Sequence, residues 1–223
     1  MIILVRHGEA THHTLKLTGG WTDSELTAKG EAQLQAAAAK LAEDFEGHKV
    51  PFRILASDLK RAAKSAQIIA RALKFNGKIE YCKFLREKNN GEAAGLSEDE
   101  AKGLYQPAAF EKDIHHRNYP GGETREEFYE RNVKGLWEYA DWENENLIVV
   151  AHKGTVQNIL FAWLGMSMQE VVDKNFSVDI SPASVTILGV NKWQEHCIYR
   201  LNDISHLKKH KGFGVFDFKY KKN

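Results

Sequence analysis

Two runs of the chain consist only of apolar residues, and a third has an apolar centre. Residues 1–5 and 147–151 are continuously apolar and rich in β-branched side chains, and residues 53–57 have an apolar centre. Short runs of this kind are typical of strands that are buried on both faces of a parallel sheet. Residues 78–85 have a similar composition, and two further strands are predicted over residues 184–190 and 197–201.

Between these runs the apolar positions change to the spacing of helices. Thr27 is a predicted N-cap for a helix over residues 28–45, and residues 59–73 have one apolar face. Residues 155–164 form a third helical segment, which Gly165 closes. Two capping boxes predict a short helix after residue 97 and a longer one towards residue 141; they pair Ser97 with Glu100 and Thr124 with Glu127.

The order of these elements predicts the fold class. Strands alternate with helices along the chain, and residues 10–25 and 88–95 are polar, glycine-containing loops. This alternation predicts an α/β protein, a three-layer α/β/α sandwich with a mostly parallel central sheet. The expected organisation is one domain over residues 1–202, followed by a basic C-terminal tail or edge strand over residues 203–223.

Composition narrows the class of protein further. The 223 residues carry a net charge of +1, and the two cysteines, Cys82 and Cys197, have no metal-ligand spacing. We expect both thiols to be reduced in a cytoplasmic protein. The apolar run at the start is too short for a signal peptide, and no stretch has the length of a membrane span, so no membrane contact is expected.

Charge is concentrated at the end of the chain. The last 21 residues hold six lysines and two aspartates, which leaves 25 basic and 28 acidic residues in the first 202. Basic residues mixed with aromatic ones can indicate nucleic-acid binding. Residues 216–220, however, alternate aromatic with charged side chains, which is equally typical of an edge strand. We favour the edge strand or a loose tail and expect no nucleic-acid partner; the sequence leaves a homodimer open.

The candidate functional residues lie at or just beyond the ends of the predicted strands. Residues 1–5 lead into Arg6 and His7, residues 53–57 lead towards Arg61, and residues 147–151 lead into His152. The carboxyl ends of parallel strands meet at one edge of a sheet, where the following helices begin. Two arginines and two histidines beside helix N-termini are suited to a tetrahedral dianion, so the sequence predicts a phosphate site.

The motifs around these residues resemble the histidine phosphatase superfamily, which has the phosphoglycerate mutase-like fold. The similarity runs in order from residue 2 to about residue 158. The segments that carry it are Leu4-Val5-Arg6-His7-Gly8-Glu9, Gly20-Trp21-Thr22-Asp23, Leu26-Thr27-Ala28-Lys29-Gly30, Ser57-Asp58-Leu59-Lys60-Arg61-Ala62, Leu85-Arg86-Glu87, Gly121-Gly122-Glu123-Thr124 and Val149-Val150-Ala151-His152.

The resemblance implies a phosphomonoester hydrolase that acts on small phosphorylated metabolites. It makes His7 the residue that attacks phosphorus and becomes phosphohistidine. Arg6, Arg61 and His152 would neutralise the phosphoryl oxygens, and Glu87 would protonate the leaving alkoxide and later activate water. No metal or other cofactor is expected, because the basic residues supply the positive charge. The further residues expected to contact substrate are His13, Gly20, Lys153 and Gly154.

Two positions depart from the family pattern. His13 stands where the family usually has asparagine, and Lys153 stands where it usually has glycine. At an unperturbed pKa of about 6.5, His13 would change its charge within the working range of the enzyme. Arg6 and Arg61 should lower that pKa and bound phosphate should raise it, so we expect proton uptake on binding. The segment between Glu87 and His152 also lacks the adjacent arginines of glycolytic mutases and offers only His115, His116 and Arg117. A cofactor-dependent phosphoglycerate mutase is therefore the alternative function.

Two other classes compete with this interpretation. A metal-dependent enzyme could draw ligands from the pairs His12-His13 and His115-His116, but adjacent histidines usually point apart. A binding module could dock a phosphorylated partner without reacting with it. The complete set of catalytic residue types argues against that second class.

Overall fold

A six-stranded sheet forms the centre of the molecule. The computed structural model describes residues 1–48, 50–142 and 144–207. Numbered along the chain, the strands lie side by side in the order β3-β2-β4-β1-β5-β6. Their bounds are Ile2–Arg6 (β1), Arg53–Ala56 (β2), Glu80–Tyr81 (β3), Leu147–Ala151 (β4), Val185–Val190 (β5) and His196–Asp203 (β6).

The sheet is parallel on one side and antiparallel on the other. Strands β1, β2, β3 and β4 run parallel, and β5 and β6 continue the sheet from β1 in antiparallel pairing. The predicted mostly parallel sheet is therefore confirmed. Because β1 and β4 are neighbours, the residues that follow them, His7 and His152, leave the sheet at the same edge.

Helices cover both faces, so the predicted three-layer sandwich is confirmed. In β1, Ile2 and Leu4 pack on the side of α5 and α6, whereas Ile3 and Val5 pack on the side of α2 and α3. The helices span Thr11–Thr14 (α1), Ala28–Asp44 (α2), Lys60–Ala72 (α3), Glu98–Leu104 (α4), Arg125–Tyr139 (α5), Lys153–Trp163 (α6) and Met168–Asp173 (α7).

The predicted caps begin three of these helices. Thr27 accepts a hydrogen bond from the Gly30 N–H at the start of α2, and the predicted capping boxes start α4 and α5. These contacts satisfy N–H groups that have no partner inside the helix. They fix where α5 begins, which matters because its first residues lie close to the candidate site.

The prediction of a strand over residues 78–85 is wrong for most of its length. Only Glu80–Tyr81 pairs with β2, and Lys83–Leu85 is a 3₁₀ turn. The side chains of α5 explain this difference, because Asn132 Nδ2 donates to the Phe84 carbonyl at 2.5 Å and Arg131 donates to the same carbonyl at 2.9 Å. Backbone groups that a longer strand would pair within the sheet are paired with side chains instead.

Two helices were not predicted. α1 lies inside the segment expected to be a polar loop, and α7 begins at a capping box between Ser167 and Glu170. Another 3₁₀ turn, Gly91–Ala93, lies in the predicted loop over residues 88–95. No helix in the described ranges is long and apolar enough to cross a membrane.

The chain continues beyond the last strand as a 3₁₀ turn, Ser205–Leu207. Leu207 is fully buried, and His206 Nε2 lies 3.0 Å from the Ala183 carbonyl oxygen. The predicted edge strand over residues 216–220 lies outside the described residues. The boundary at residue 202 stays a prediction.

Candidate active site

His7 is held at the end of β1 with one ring nitrogen fixed. Its N–H donates to the Ala151 carbonyl at 3.0 Å, and its ring is 3% exposed. His7 Nδ1 lies 2.7 Å from the Gly8 carbonyl oxygen. A carbonyl only accepts, so Nδ1 carries the proton and Nε2 keeps its lone pair. Burial and then the charge of Arg61 hold the pKa of His7 well below its usual value, which keeps the ring neutral and nucleophilic.

Arg61 lies against the His7 ring. Its side chain is 1% exposed, and its Nε donates to His7 Nε2 at 3.3 Å. The rest of the guanidinium is fixed by backbone carbonyls, with NH2 at 2.7 Å from Gly20 O and NH1 at 2.5 Å from Thr22 O. Burial lowers the pKa of Arg61 to about 10, so it stays charged near neutral pH. A positive charge is thus placed next to the nitrogen that would meet phosphorus.

His152 approaches His7 from the end of β4. The ring is fully buried, and its centroid lies 5.1 Å from the centroid of His7. Leu59 N–H donates to Ser57 Oγ at 3.3 Å, and Ser57 Oγ lies 2.8 Å from His152 Nε2. When the Ser57 hydroxyl donates to Nε2, the proton of His152 is on Nδ1. Burial and then Arg61 lower the pKa of His152 well below its usual value, so the ring is a neutral donor.

Arg6 completes the basic group on the other side. Its NH1 donates to the Ile180 carbonyl at 2.5 Å, and burial lowers its pKa. Arg6 Nε and His152 Nδ1 are both buried and have no hydrogen-bond partner among the described residues. Buried donors are nearly always paired, because an unpaired one costs about 1–3 kcal/mol. A bound phosphoryl oxygen would supply the acceptor that each of them needs.

Glu87 lies beside this basic group in the loop that follows β3. Its Oε1 accepts from the Lys88 N–H at 2.9 Å, and its Oε2 accepts from the Gly154 N–H at 3.0 Å. The carboxylate is close enough to Arg6 and Arg61 to offset in part the lowering of their pKa values. Glu87 is partly exposed, so solvent reaches the carboxylate.

The absence of a side chain at Gly154 makes space for the Glu87 carboxylate. A Cβ at this position would lie 2.5 Å from Glu87 Oε1 and 2.8 Å from Phe128 Cε1. Gly154 is in the first turn of α6, so its N–H is not used inside the helix. The glycine therefore lets a backbone donor and the Glu87 carboxylate come into contact.

The two histidines of α1 have different surroundings. The exposed His13 stacks on His7 with centroids 5.8 Å apart, and its Nε2 lies 3.4 Å from Arg6 NH2. His12 is buried, with Nδ1 2.7 Å from Ser24 Oγ. Ser24 Oγ also accepts from Arg61 NH1 at 3.5 Å, so His12 lies behind Arg61 while His13 lies at the mouth of the site.

The protonation of His13 differs from the sequence-based expectation. The Ala10 N–H donates to His13 Nδ1 at 3.1 Å, so the proton of the neutral ring is on Nε2. Partial burial of the ring, followed by the charges of Arg6 and Arg61, lowers the pKa of His13 to about 4. Arg6 and Arg61 lower this pKa as expected, but burial, which the sequence did not show, is the larger cause. His13 is a neutral donor in the free enzyme.

Lys153 and Gly20 have other contacts than the phosphate contacts expected of them. Lys153 Nζ is 2.7 Å from Asp179 Oδ1 on the surface, and its side chain is 46% exposed. Gly20 has a φ of +70° and offers its carbonyl to Arg61. A Cβ at this position would lie only 2.6 Å from the Lys88 carbonyl oxygen, so no residue other than glycine fits. A direct contact of either residue with substrate stays a prediction.

The residues that hold Glu87 in place had no assigned role. Arg131 NH2 donates to the Glu87 carbonyl at 3.1 Å, and Trp21 Nε1 donates to the same carbonyl at 2.8 Å. Trp21 belongs to one of the segments that resemble the family, but the resemblance gave it no role. Arg131 is an arginine in the middle of α5, where the sequence alone gives no signal. Its second contact, an ion pair with Glu123 at 2.6 Å, fixes the guanidinium.

The histidine pairs considered as metal ligands do not form a ligand set. His116 Nε2 lies 2.7 Å from the Gln106 carbonyl, whereas His12 and His13 lie beside His7. Among the described residues, no group of three or more histidine, cysteine, aspartate or glutamate side chains is arranged to hold a metal ion.

Comparison with known proteins gives one consistent result. The family model of the histidine phosphatase superfamily (branch 1) matches residues 2–203. Phosphoglycerate mutase-like protein 4 of Arabidopsis thaliana is 30% identical over 223 residues, which cover 96% of this chain and 91% of the relative. A metal-independent phosphoserine phosphatase from the same plant is 29% identical over 210 residues, which cover 92% and 82%.

Solved structures show the same fold. A mycobacterial glucosyl-3-phosphoglycerate phosphatase in complex with VO3 superposes with a TM-score of 0.70 at 22% identity, and the match covers 90% of this chain and 98% of that one.

Proposed function

The chain belongs to the histidine phosphatase superfamily, and from that membership we propose that it hydrolyses small phosphomonoesters through a phosphohistidine at His7. The state of His7 carries the proposal. A neutral imidazole with Nδ1 bound to a carbonyl presents its Nε2 lone pair between Arg61 and His152. Nucleophilic catalysis needs that protonation state, and phosphoryl transfer needs positive groups around the transferred oxygens.

The reaction has two steps that share the same residues. In the first, which starts from the form of the enzyme that carries a proton on Glu87, His7 Nε2 forms a bond to phosphorus as the bond to the leaving oxygen breaks, and Glu87 gives that proton to the leaving oxygen. In the second, Glu87 takes a proton from water as the water oxygen attacks phosphorus and the P–N bond breaks. Inorganic phosphate leaves, and His7 returns to its neutral form. Arg6, Arg61 and His152 neutralise the phosphoryl oxygens in both steps.

We favour hydrolysis over the mutase alternative because of the groups near the entrance. A mutase must exclude water while the phosphoenzyme waits for its acceptor. In the segment where glycolytic mutases carry adjacent arginines, this chain offers His115, His116 and Arg117. His116 contacts the Gln106 carbonyl and Arg117 pairs with Glu127, so both side chains already have partners. The open cavity beside Glu87 admits water.

A panel of phosphorylated metabolites followed by ³¹P NMR distinguishes the two activities. The panel includes 3-phosphoglycerate, with and without 2,3-bisphosphoglycerate. We expect release of inorganic phosphate from one or more esters, and no formation of 2-phosphoglycerate that outpaces it. Interconversion of the phosphoglycerates faster than phosphate release would favour the mutase instead.

His13 is expected to aid phosphate binding by the same factor at every pH in the neutral range. With a pKa lowered to about 4, the ring becomes charged only as the pH falls towards that value. Its Nδ1 already accepts from Ala10 N–H, which disfavours protonation there even when phosphate is bound. Inhibition by phosphate between about pH 6 and pH 8 should then follow the second ionisation of the ligand alone.

The test measures the inhibition constant of phosphate against pH for the wild type and for His13→Asn. We expect two inhibition profiles of the same shape, with the variant displaced by a constant factor. A wild-type inhibition constant that tightens towards pH 6, in a way that the variant lacks, would show proton uptake at His13 and contradict this assignment.

A further inference from the structure

A cavity of about 930 Å³ opens beside the two residues that meet at the leaving-group side of the site, Glu87 and Gly154. Its wall is formed by the start of α5, by one side of α6, by α7 and by residues 175–177, with Glu111, Lys112 and Asn118 at its rim. Ligand pockets for small molecules hold about 300–1,000 Å³. The cavity is therefore large enough for an alcohol much larger than glycerate, with its oxygen next to Glu87.

One side of the cavity is apolar and well packed. Phe128 and Phe161 are 6% and 4% exposed, and the α7 residues Met168, Val171 and Val172 are similarly buried. Phe161, Met168, Val171 and Val172 pack in a small core of their own together with Ile114, so this wall is preformed. An apolar part of the leaving group would replace water on this surface.

The other side holds two cations close together. Lys88 Nζ has one weak contact, 3.4 Å from Asn118 Oδ1, and the Arg125 guanidinium makes no hydrogen bond or ion pair with any other described residue. Lys88 and Arg125 both line the cavity, and Lys88 is partly shielded from water. Burial and then the charge of Arg125 lower the pKa of Lys88, and the carboxylates of Glu123 and Glu87 offset part of this lowering. An anion bound between the two cations would receive charge-assisted hydrogen bonds from both.

Several other polar groups of the wall already have partners. Lys112 Nζ donates to the Asp173 carbonyl at 2.9 Å, and Gln157 donates to the Val178 carbonyl. Asn158 donates to Asn132 Oδ1 at 2.9 Å, and the exposed Glu111 is an anion. Lys88 and Arg125 are thus the cations of this cavity that remain available to a ligand.

We propose that the leaving group is an amphipathic alcohol whose second oxyanion, a carboxylate or a phosphate, binds between Lys88 and Arg125 while its apolar part lies on the wall of Phe128, Phe161 and Val172. The inference rests on the proposed hydrolase function and gives its substrate class, phosphomonoesters of amphipathic hydroxy acids or of their phosphate counterparts. Arg125 sets this specificity, because its planar fork matches both kinds of oxyanion.

Four synthetic aryl phosphates of similar chemical reactivity test this proposal on the full-length protein. They are phenyl phosphate and its para-propyl, para-carboxyethyl and para-phosphonoethyl derivatives. In the wild type we expect kcat/KM for the propyl ester to exceed that for phenyl phosphate by about 10-fold, from burial of the chain. The anionic esters should exceed the propyl ester by about 10- to 100-fold. A larger kcat/KM for the carboxyethyl ester identifies the oxyanion as a carboxylate, and a larger kcat/KM for the phosphonoethyl ester identifies it as a phosphate.

The variant Arg125→Gln should remove the preference for the anionic esters and leave the propyl ester within about 3-fold of its wild-type value. The matched control is Lys134→Gln on the same helix, whose ammonium pairs with Glu130 on the surface, 3.2 Å away. It should keep the full preference. Since Arg125 is exposed, its replacement is not expected to disturb the fold.

Equal rates for neutral and anionic esters in the wild type would overturn this binding site and leave the hydrolase function intact. An equal loss for all esters in Arg125→Gln would overturn it as well. Absence of hydrolysis for all four esters would overturn the proposed function together with the inference.

Discussion

Replacing His7 with asparagine is expected to abolish turnover while phosphate binding survives. The variant lacks the Nε2 lone pair that would attack phosphorus, and no other neutral nucleophile occupies its place between Arg61 and His152 among the described residues. Loss of a catalytic nucleophile typically lowers kcat by about 10⁵-fold or more. The basic residues that bind phosphate are unchanged, so inhibitor affinity should stay within about 10-fold of the wild-type value.

A second histidine variant provides the control. His116→Asn removes a partly exposed ring that contacts the Gln106 carbonyl and not the basic group around His7, and it should retain wild-type kcat. Steady-state kinetics with isothermal titration of phosphate measures both properties. A His7→Asn enzyme that keeps even one hundredth of the wild-type kcat would remove His7 from the role of nucleophile.

Replacing Glu87 with glutamine is expected to slow phosphorylation by alkyl phosphates far more than phosphorylation by para-nitrophenyl phosphate. An alkoxide needs a proton as it leaves, whereas nitrophenolate does not. General acid catalysis contributes about 10²- to 10⁴-fold, and that factor should be lost for the alkyl ester alone. Both backbone N–H groups at the carboxylate donate, so the amide of glutamine fits only one of them and a further, shared loss of about 10-fold is expected.

Rapid-mixing kinetics separates phosphorylation of the enzyme from the later hydrolysis of the phosphoenzyme. In the variant, para-nitrophenol should appear as a burst of one equivalent, because Glu87 also activates the water that cleaves the phosphoenzyme. Glu92→Gln, on an exposed residue of the same loop, is the matched control and should behave as the wild type. Equal slowing of phosphorylation by both esters would exclude Glu87 as the general acid.

The sheet and the basic group were predictable because both follow from local patterns. Continuous apolar runs indicate buried parallel strands, and such strands bring the residues that follow them to one edge. Arg6 ends β1, His7 and His152 directly follow β1 and β4, and the structure brings them together. Arg61 is on the helix that follows β2, so it also reaches that edge.

The parts that were missed depend on contacts between distant segments. The carbonyls of Phe84 and Glu87 are paired by α5 side chains, which ends the predicted strand early. The extent to which the pKa of His13 is lowered depends first on the burial of its ring, which only the folded chain sets. No single sequence window contains these effects. Helix α7, which supplies much of the apolar wall of the leaving-group cavity, is different, because its Ser167–Glu170 capping box is a local signal.

Trapping the phosphoenzyme tests the central claim most directly. The enzyme is mixed with ³²P-labelled para-nitrophenyl phosphate, quenched in alkali within its first turnover, and mapped by mass spectrometry. The account predicts label on His7 that is stable to base and labile to acid, as a P–N bond is, and that forms at the rate of the burst. Label on serine or aspartate, or steady-state turnover without any labelled enzyme, would contradict it.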